Sequence, residues 1–257
     1  MLWVRMDHDA QQVLWPRLAQ GVTGVLLGIA AARATDFAVT VRRAYRYSER
    51  ATRFERRLDS PRCRVLVVGD STAVGLGCVS TEESVAGRIA REFPYASIEN
   101  HAQCGARVAN VLKQLESVSG PYDAVLIPVG GNDVIRGTRE RALLRDLEAV
   151  LLRARELSRM VIVTNSANVG AAPMFGWPLN MILSRRSLRL RRAFAQVCRQ
   201  HRVRFVNFTY RFQRDAFARQ REQYFAEDGL HPTSAAYGYC YTVLKRRSAL
   251  IHALAGG

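Results

Sequence analysis

From residue 64 onward the chain alternates two apolar rhythms. Short runs rich in β-branched residues end at glycine or polar residues, and between them apolar positions recur every three or four residues. The runs Arg64–Val68, Ala96–Glu99, Ala124–Val129, Met160–Thr164 and Val203–Phe208 predict five strands. Ser80 and Glu83 read as a capping box that opens a helix to about Phe93, with Val85, Ile89 and Phe93 spaced by four. Helices are also predicted over Val108–Leu115, Arg139–Leu157 and Arg185–Gln200, and a closing one from Thr233 to about Ala253. In the second of these Leu143, Leu147, Val150, Leu151 and Ala154 share one face. Asn165–Ser184, punctuated by Gly170, Pro173, Gly176 and Pro178, reads as a long irregular stretch. Strand and helix in alternation predict an α/β, three-layer sandwich: a five-stranded parallel sheet covered on both faces, with right-handed crossovers.

The pattern is different before residue 60. Leu18 to Ala32 is uncharged. As a helix it would span roughly 22 Å, short of the ~20 residues a bilayer crossing needs. Three readings compete: a membrane anchor, a signal peptide with Ala30-Ala31-Ala32 as cleavage site, or a helix packed on the protein body. Eight arginines follow between Arg33 and Arg57, interleaved with Tyr45, Tyr47 and Phe54. This run suits either an anionic membrane surface, reached through residues 18–57, or a solvated connecting helix. Asp59-Ser60-Pro61 predicts a boundary between an N-terminal helical extension, residues 1–60, and a second domain, residues 61–257.

Charge and cysteines narrow the classes. The chain of 257 residues carries 38 Lys+Arg against 22 Asp+Glu, a net +16, nearly all of the positive charge being arginine. Such an excess favours polyanions, yet no zinc-finger spacing, aromatic RNA-binding motif or basic zipper accompanies it, so nucleic acid is not the expected partner. Five cysteines, an odd number with no Cys-x-x-Cys pair, fit reduced thiols and no metal site. Reduced thiols and the arginine run suggest a cytoplasmic protein, attached to the inner face of a membrane through its N-terminal segment; a periplasmic or secreted location is the alternative.

Four short polar pieces fall at strand ends or helix starts. They are Gly69-Asp70-Ser71, Asn100-His101-Ala102-Gln103-Cys104-Gly105-Ala106, Gly130-Gly131-Asn132-Asp133 and Asp228-Gly229-Leu230-His231-Pro232. Open α/β sheets place their ligands at such ends. Each piece alone could be an ordinary turn. Together they supply a nucleophile and its support. A serine hydroxyl needs a neighbouring base, which His231 can be, and Asp228, one turn earlier, can accept the other imidazole N–H. Ser71 lacks the Gly-x-Ser-x-Gly elbow of α/β-hydrolases. Asp70 reads as ordering its turn, His101 as a supporting or surface residue, and Cys104 as a wall rather than a nucleophile.

In these four blocks, and in their order, the chain resembles the SGNH, or GDSL-type, serine hydrolase family over about Arg64 to Ala253. The resemblance implies a flavodoxin-like sheet, an esterase or lipase-like hydrolase without metal or cofactor, Ser71, Asp228 and His231 as catalytic residues, and an oxyanion hole. The donors of that hole would be the N–H groups of Ser71 and Gly105 and the side-chain amide of Asn132. Expected substrates are small-molecule or lipid esters cleaved through an acyl-enzyme. A carbohydrate O-deacetylase, an acyltransferase on the same scaffold, or a membrane-tethered binding protein with an inactive site are the alternatives. The apolar residues between 165 and 184, Phe175 and Trp177 among them, are candidates for a wall against an acyl chain, or else for a plug over the sheet.

Overall fold

The computed structural model describes residues 51–255, together with Arg42, Arg46, Ser48 and Glu49. The chain divides into two units, Met1–Arg43 and Ala44–Gly257, and the second is described here. The uncharged stretch 18–32, and Arg33, Arg43 and Arg50 of the arginine run, lie outside the described residues.

In chain order the elements are β1 (Cys63–Val67), α1 (Ser71–Val74), α2 (Val85–Glu92), β2 (Ala96–Asn100), α3 (Val108–Glu116) and β3 (Ala124–Pro128). They continue with α4 (Gly131–Arg136), α5 (Glu140–Leu157), β4 (Val161–Thr164), α6 (Leu179–Gln200) and β5 (Arg204–Val206). Two short helices, α7 (Ala216–Arg219) and α8 (Arg221–Tyr224), precede α9 (Ser234–Ser248) and α10 (Leu250–Ala255). The strands form one parallel sheet in the order β2-β1-β3-β4-β5. The order reverses beside β1, so the end of β1 opens onto a crevice between diverging connections.

Alternation along the strands divides the core in two. Leu66, Val125, Ile127, Val161 and Val163 pack under the apolar faces of α3, α5 and α6. Val65, Val67, Ala124, Leu126, Ile162 and Val206 point the other way, toward α2, α9 and α10. The side-chain period of two thus covers both faces, which is what continuous apolar strands require. Upstream of β1, Arg56 bridges Ile98 and its guanidinium donates to the carbonyls of Phe93 and Ala96, closing the β2 edge.

Four sequence expectations are corrected. Ser80 makes no side-chain cap; residues 81–83 form a 3-10 turn, and Ser84 caps α2 by accepting from the Gly87 amide at 3.1 Å. A Cβ on Gly87 would stand 2.4 Å from the Glu82 Cα, so this glycine lets the turn lie against the helix start. The irregular stretch ends earlier than expected, because α6 begins at Leu179 and its buried positions Leu183, Leu190, Ala193, Phe194 and Val197 keep a helical period. The fifth strand stops at Val206. Beyond it the Asn165 side chain substitutes for a ladder, accepting from the Phe208 amide and donating to Asn207 Oδ1 and Thr209 Oγ1. The closing helix also breaks once, at Ala249, where φ is 59°.

Candidate active site

The end of β1 brings Ser71 to the crevice. Gly69 sits at φ 142° so close to β3 that a Cβ there would lie 2.0 Å from the Pro128 carbonyl oxygen. Its amide donates to Gln114 Oε1 at 2.7 Å and its carbonyl accepts from Gln114 Nε2 at 3.0 Å, so α3 holds the strand end. Asp70 then caps α1, its Oδ1 accepting from the Thr72 amide and hydroxyl. Ser71 is the first residue of that helix, where a backbone N–H has no intrahelical acceptor.

His231 reaches Ser71 from the loop before α9. Its Nε2 lies 3.1 Å from Ser71 Oγ, and its Nδ1 lies 2.5 Å from Asp228 Oδ2. The other oxygen of Asp228 accepts from the Leu230 and His231 amides, both at 2.9 Å. One turn thus delivers base and carboxylate together. Gly77 permits the approach: at φ 100°, a Cβ on it would be 2.2 Å from the Pro232 carbonyl oxygen. The Tyr237 hydroxyl donates to the Leu76 carbonyl and ties α9 to the serine loop.

The two neighbouring carboxylates are tuned in opposite directions. Burial pushes Asp228 up, but the hydrogen bonds and charge of His231, with the Leu230 and His231 amides, outweigh it and hold the group below its usual range. Asp70 is raised, because its burial dominates over the bonds from Thr72. Burial also raises the Cys104 thiol to about 11, with the charge of Asp70 adding to the shift. Cys104 is therefore a neutral thiol at ordinary pH, not an activated nucleophile.

The other two blocks stand beside this chain of groups. Asn132 follows the left-handed Gly130 at the start of α4 and donates its Nδ2 to the Ala106 carbonyl at 3.1 Å. Asp133 accepts from the Val108 amide and the Thr138 hydroxyl, locking α4 to α3. Gly105 adopts φ 77° in a loop bonded to the β1 end through the Gln103 amide and the Gly69 carbonyl. His101 pairs with Glu99 at 2.8 Å and takes no part in the site.

Ser71, His231 and Asn132 line one pocket of about 120 Å³. Gly105 is not among its lining residues. The pocket is largely apolar and extends along the α9 side of the sheet, where Val85, Leu126, Phe208, Tyr237, Cys240 and Leu244 line it. From the 165–184 stretch Asn165, Ser166, Ala167, Asn168, Val169 and Ala172 contribute. The expected wall residues are elsewhere: Phe175 is buried among α6 and its neighbours in the other core, and Trp177 projects outward. Four aromatics line the pocket, Phe208, Phe217, Phe225 and Tyr237, and the sequence reading assigned none of them to it. The position of Phe217 rests on Asp215, which caps α7 and accepts from the Tyr210 and Asn168 amides, and the Phe225 ring packs against Phe217. The Asp215-x-Phe217-Ala218 cap pattern was the available signal. Among the described residues no cluster of His, Cys, Asp or Glu could hold a metal ion.

Comparison with known proteins bears on this arrangement. Residues 67–239 match the sequence profile of the GDSL-like Lipase/Acylhydrolase family. A GDSL-like esterase of Mycobacterium tuberculosis is 27% identical over 188 residues, which cover 70% of this chain and 60% of that protein. The chain therefore spans less than two thirds of that relative. Among solved structures, TesA is 21% identical with a TM-score of 0.57 over 72% of this chain and 97% of its own. An esterase, EstA, from Pseudoalteromonas sp. is 20% identical with a TM-score of 0.53, covering 72% of this chain and 95% of its own. At these identities the two structures speak to the fold.

Proposed function

The chain belongs to the GDSL-like lipase/acylhydrolase family, and on that premise we propose that it hydrolyses carboxylic esters through an acyl-enzyme on Ser71. The observation that carries this reading is the continuous chain Ser71 Oγ, His231 Nε2, His231 Nδ1, Asp228 Oδ2, with separations of 3.1 and 2.5 Å at its two contacts. Ser71 Oγ attacks the ester carbonyl carbon while its proton passes to His231 Nε2. Asp228 stays ionised, keeps Nδ1–H oriented and stabilises the imidazolium. The negative oxygen that develops is met by the Ser71 N–H, the Asn132 amide and the Gly105 N–H; losing one such donor costs about 3 kcal/mol of barrier. Collapse breaks the bond to the alcohol, which leaves with the proton from His231. Water then repeats the sequence on the acyl-enzyme, losing its proton to His231, and Ser71 recovers its own as the acid is released.

The acyl group belongs, in this reading, in the apolar part of the pocket beside Leu126 and Leu244. An acyl ester of medium length fits that lining better than a sugar ring, which would leave hydroxyls unpaired there. The test is a panel of p-nitrophenyl esters on the wild type and on Ser71→Ala, with fluorophosphonate labelling of the wild type. Wild-type turnover with label on Ser71, both absent from Ser71→Ala, is the expected result. Equal turnover by the two proteins would overturn the assignment.

A further inference from the structure

Among the described residues six large apolar side chains are exposed, and four of them fall within six positions: Trp177 at 84%, Leu179 at 38%, Met181 at 46% and Ile182 at 45%. A single exposed apolar residue is ordinary, whereas a contiguous group marks a surface that something covers. These residues straddle the start of α6. Further along the same helix Arg185, Arg186, Arg189 and Arg192 are exposed, and none of them forms an ion pair among the described residues. Arg186 and Arg189, with Arg139, also line a second cleft of about 250 Å³ at the turn before α5. Two acids reach that cleft: Glu140, and Asp133, whose carboxylate is already engaged by Val108 and Thr138.

The patch adjoins the active site. The Met174 amide donates at 3.0 Å to the carbonyl of Gly229, inside the turn that carries Asp228 and His231. Val169 and Ala172, in the same stretch as Met174, line the catalytic pocket.

We propose that the surface from Trp177 to Ile182, with the arginines that follow it, docks the protein on an anionic lipid bilayer. Tryptophan and aliphatic side chains seat at the boundary between headgroups and acyl chains, and arginines beside them meet lipid phosphates. Each basic residue near an anionic surface adds about a fivefold gain in partitioning. A nucleic acid would use the arginines but leave Leu179, Met181 and Ile182 facing water. The docking is independent of residues 1–50 and of whether the protein turns over esters.

The experiment uses the full chain with Trp3→Phe and Trp15→Phe, which leaves Trp177 as its one tryptophan. Vesicles of phosphatidylcholine with phosphatidylglycerol, and of phosphatidylcholine alone, are titrated in. On the anionic vesicles Trp177 emission shifts to the blue and is quenched by chain-brominated lipid, and added salt reverses both. The pairs Met181→Ser with Ile182→Ser, and Arg185→Glu with Arg189→Glu, each weaken vesicle binding about tenfold or more. Circular dichroism and cleavage of a soluble short-chain ester without vesicles stay as in the parent. Sedimentation with vesicles while Trp177 emission is unmoved would overturn the proposal, since another segment would then be binding. So would an equal response to neutral vesicles, a response to duplex DNA but not to lipid, or an already blue emission in the free protein, which would mean that part of the chain or a second copy covers the patch.

Discussion

At the scale of single residues, Asp228 has the most testable chemistry. Its carboxylate serves two masters, the imidazole N–H and two backbone amides. Asp228→Asn keeps the shape but offers the imidazole the wrong partner or tautomer. In triads of this logic that costs about 10³–10⁴-fold in kcat, and steady-state kinetics on a soluble ester will show it. The same group gives a pH signature. Its folded pKa lies below the ordinary 3.8, so its stabilisation is complete above that value and is lost as pH falls through the folded one. Asp70, Asp133 and Asp215 are raised by burial and carry the opposite sign. Wild type and Asp228→Asn share those three, so their difference isolates Asp228. The wild type's advantage in Tm over Asp228→Asn should shrink as pH drops below about 4. An advantage that persists unchanged to pH 2 would contradict this account. The residues of this site were legible in the sequence because Gly-Asp-Ser and Asp-x-x-His are local patterns: each places its groups by one turn of backbone.

At the scale of elements, legibility depended on whether the signal was local. The strands and long helices were readable because continuous apolar strands and helical stripes are dictated by burial on two faces. The start of α2 was misread because Ser80 and Ser84 both precede acidic or apolar residues, and only the contact of Gly87 with Glu82 selects Ser84. Of the pocket walls, only the contribution of the 165–184 stretch was legible, and there the wrong residues were favoured. Val85, Leu126 and Leu244 come from three elements far apart in sequence, and the position of Phe217 depends on the Asp215 cap. Two predictions belong here. Gly69→Ala must force a Cβ against the Pro128 carbonyl at a left-handed φ, and should cost at least about 3 kcal/mol in urea unfolding. Cys240→Phe projects a ring from α9 into the apolar end of the pocket while leaving Ser71, His231 and Asp228 in place. It should lower kcat/KM for an octanoate ester about tenfold or more relative to acetate. An unchanged octanoate-to-acetate ratio would mean that the acyl chain lies outside this lining.

At the scale of the whole molecule, the question is what the catalytic reading requires of the chain. Every residue given a catalytic or pocket role lies between Asp70 and Leu244. The two layers of core that hold these residues are complete among elements between β1 and α10, with Ala51 and Phe54 packed at their edge. The division into units falls between Arg43 and Ala44, ahead of the Arg56 contacts that close the β2 edge. A shortened chain beginning at Ala44 therefore keeps the sheet, both cores, the Ser71–His231–Asp228 chain and the exposed α6 patch. It should cleave a soluble short-chain ester with kcat/KM within about threefold of the full chain, the change expected of substitutions that touch no reacting group. Its Tm should likewise stay within a few degrees. Beginning the chain at Leu58 instead removes the Arg56 guanidinium from the carbonyls of Phe93 and Ala96, leaving those acceptors and the β2 edge uncovered. That second truncation should lower Tm by about 4–8 °C per kcal/mol lost in a domain of about 100 residues, and by about half that in one of this size. If the Ala44 chain lost activity while the Leu58 chain lost no more, the first unit would have to complete the site, and the assignment of function to the second unit alone would fall.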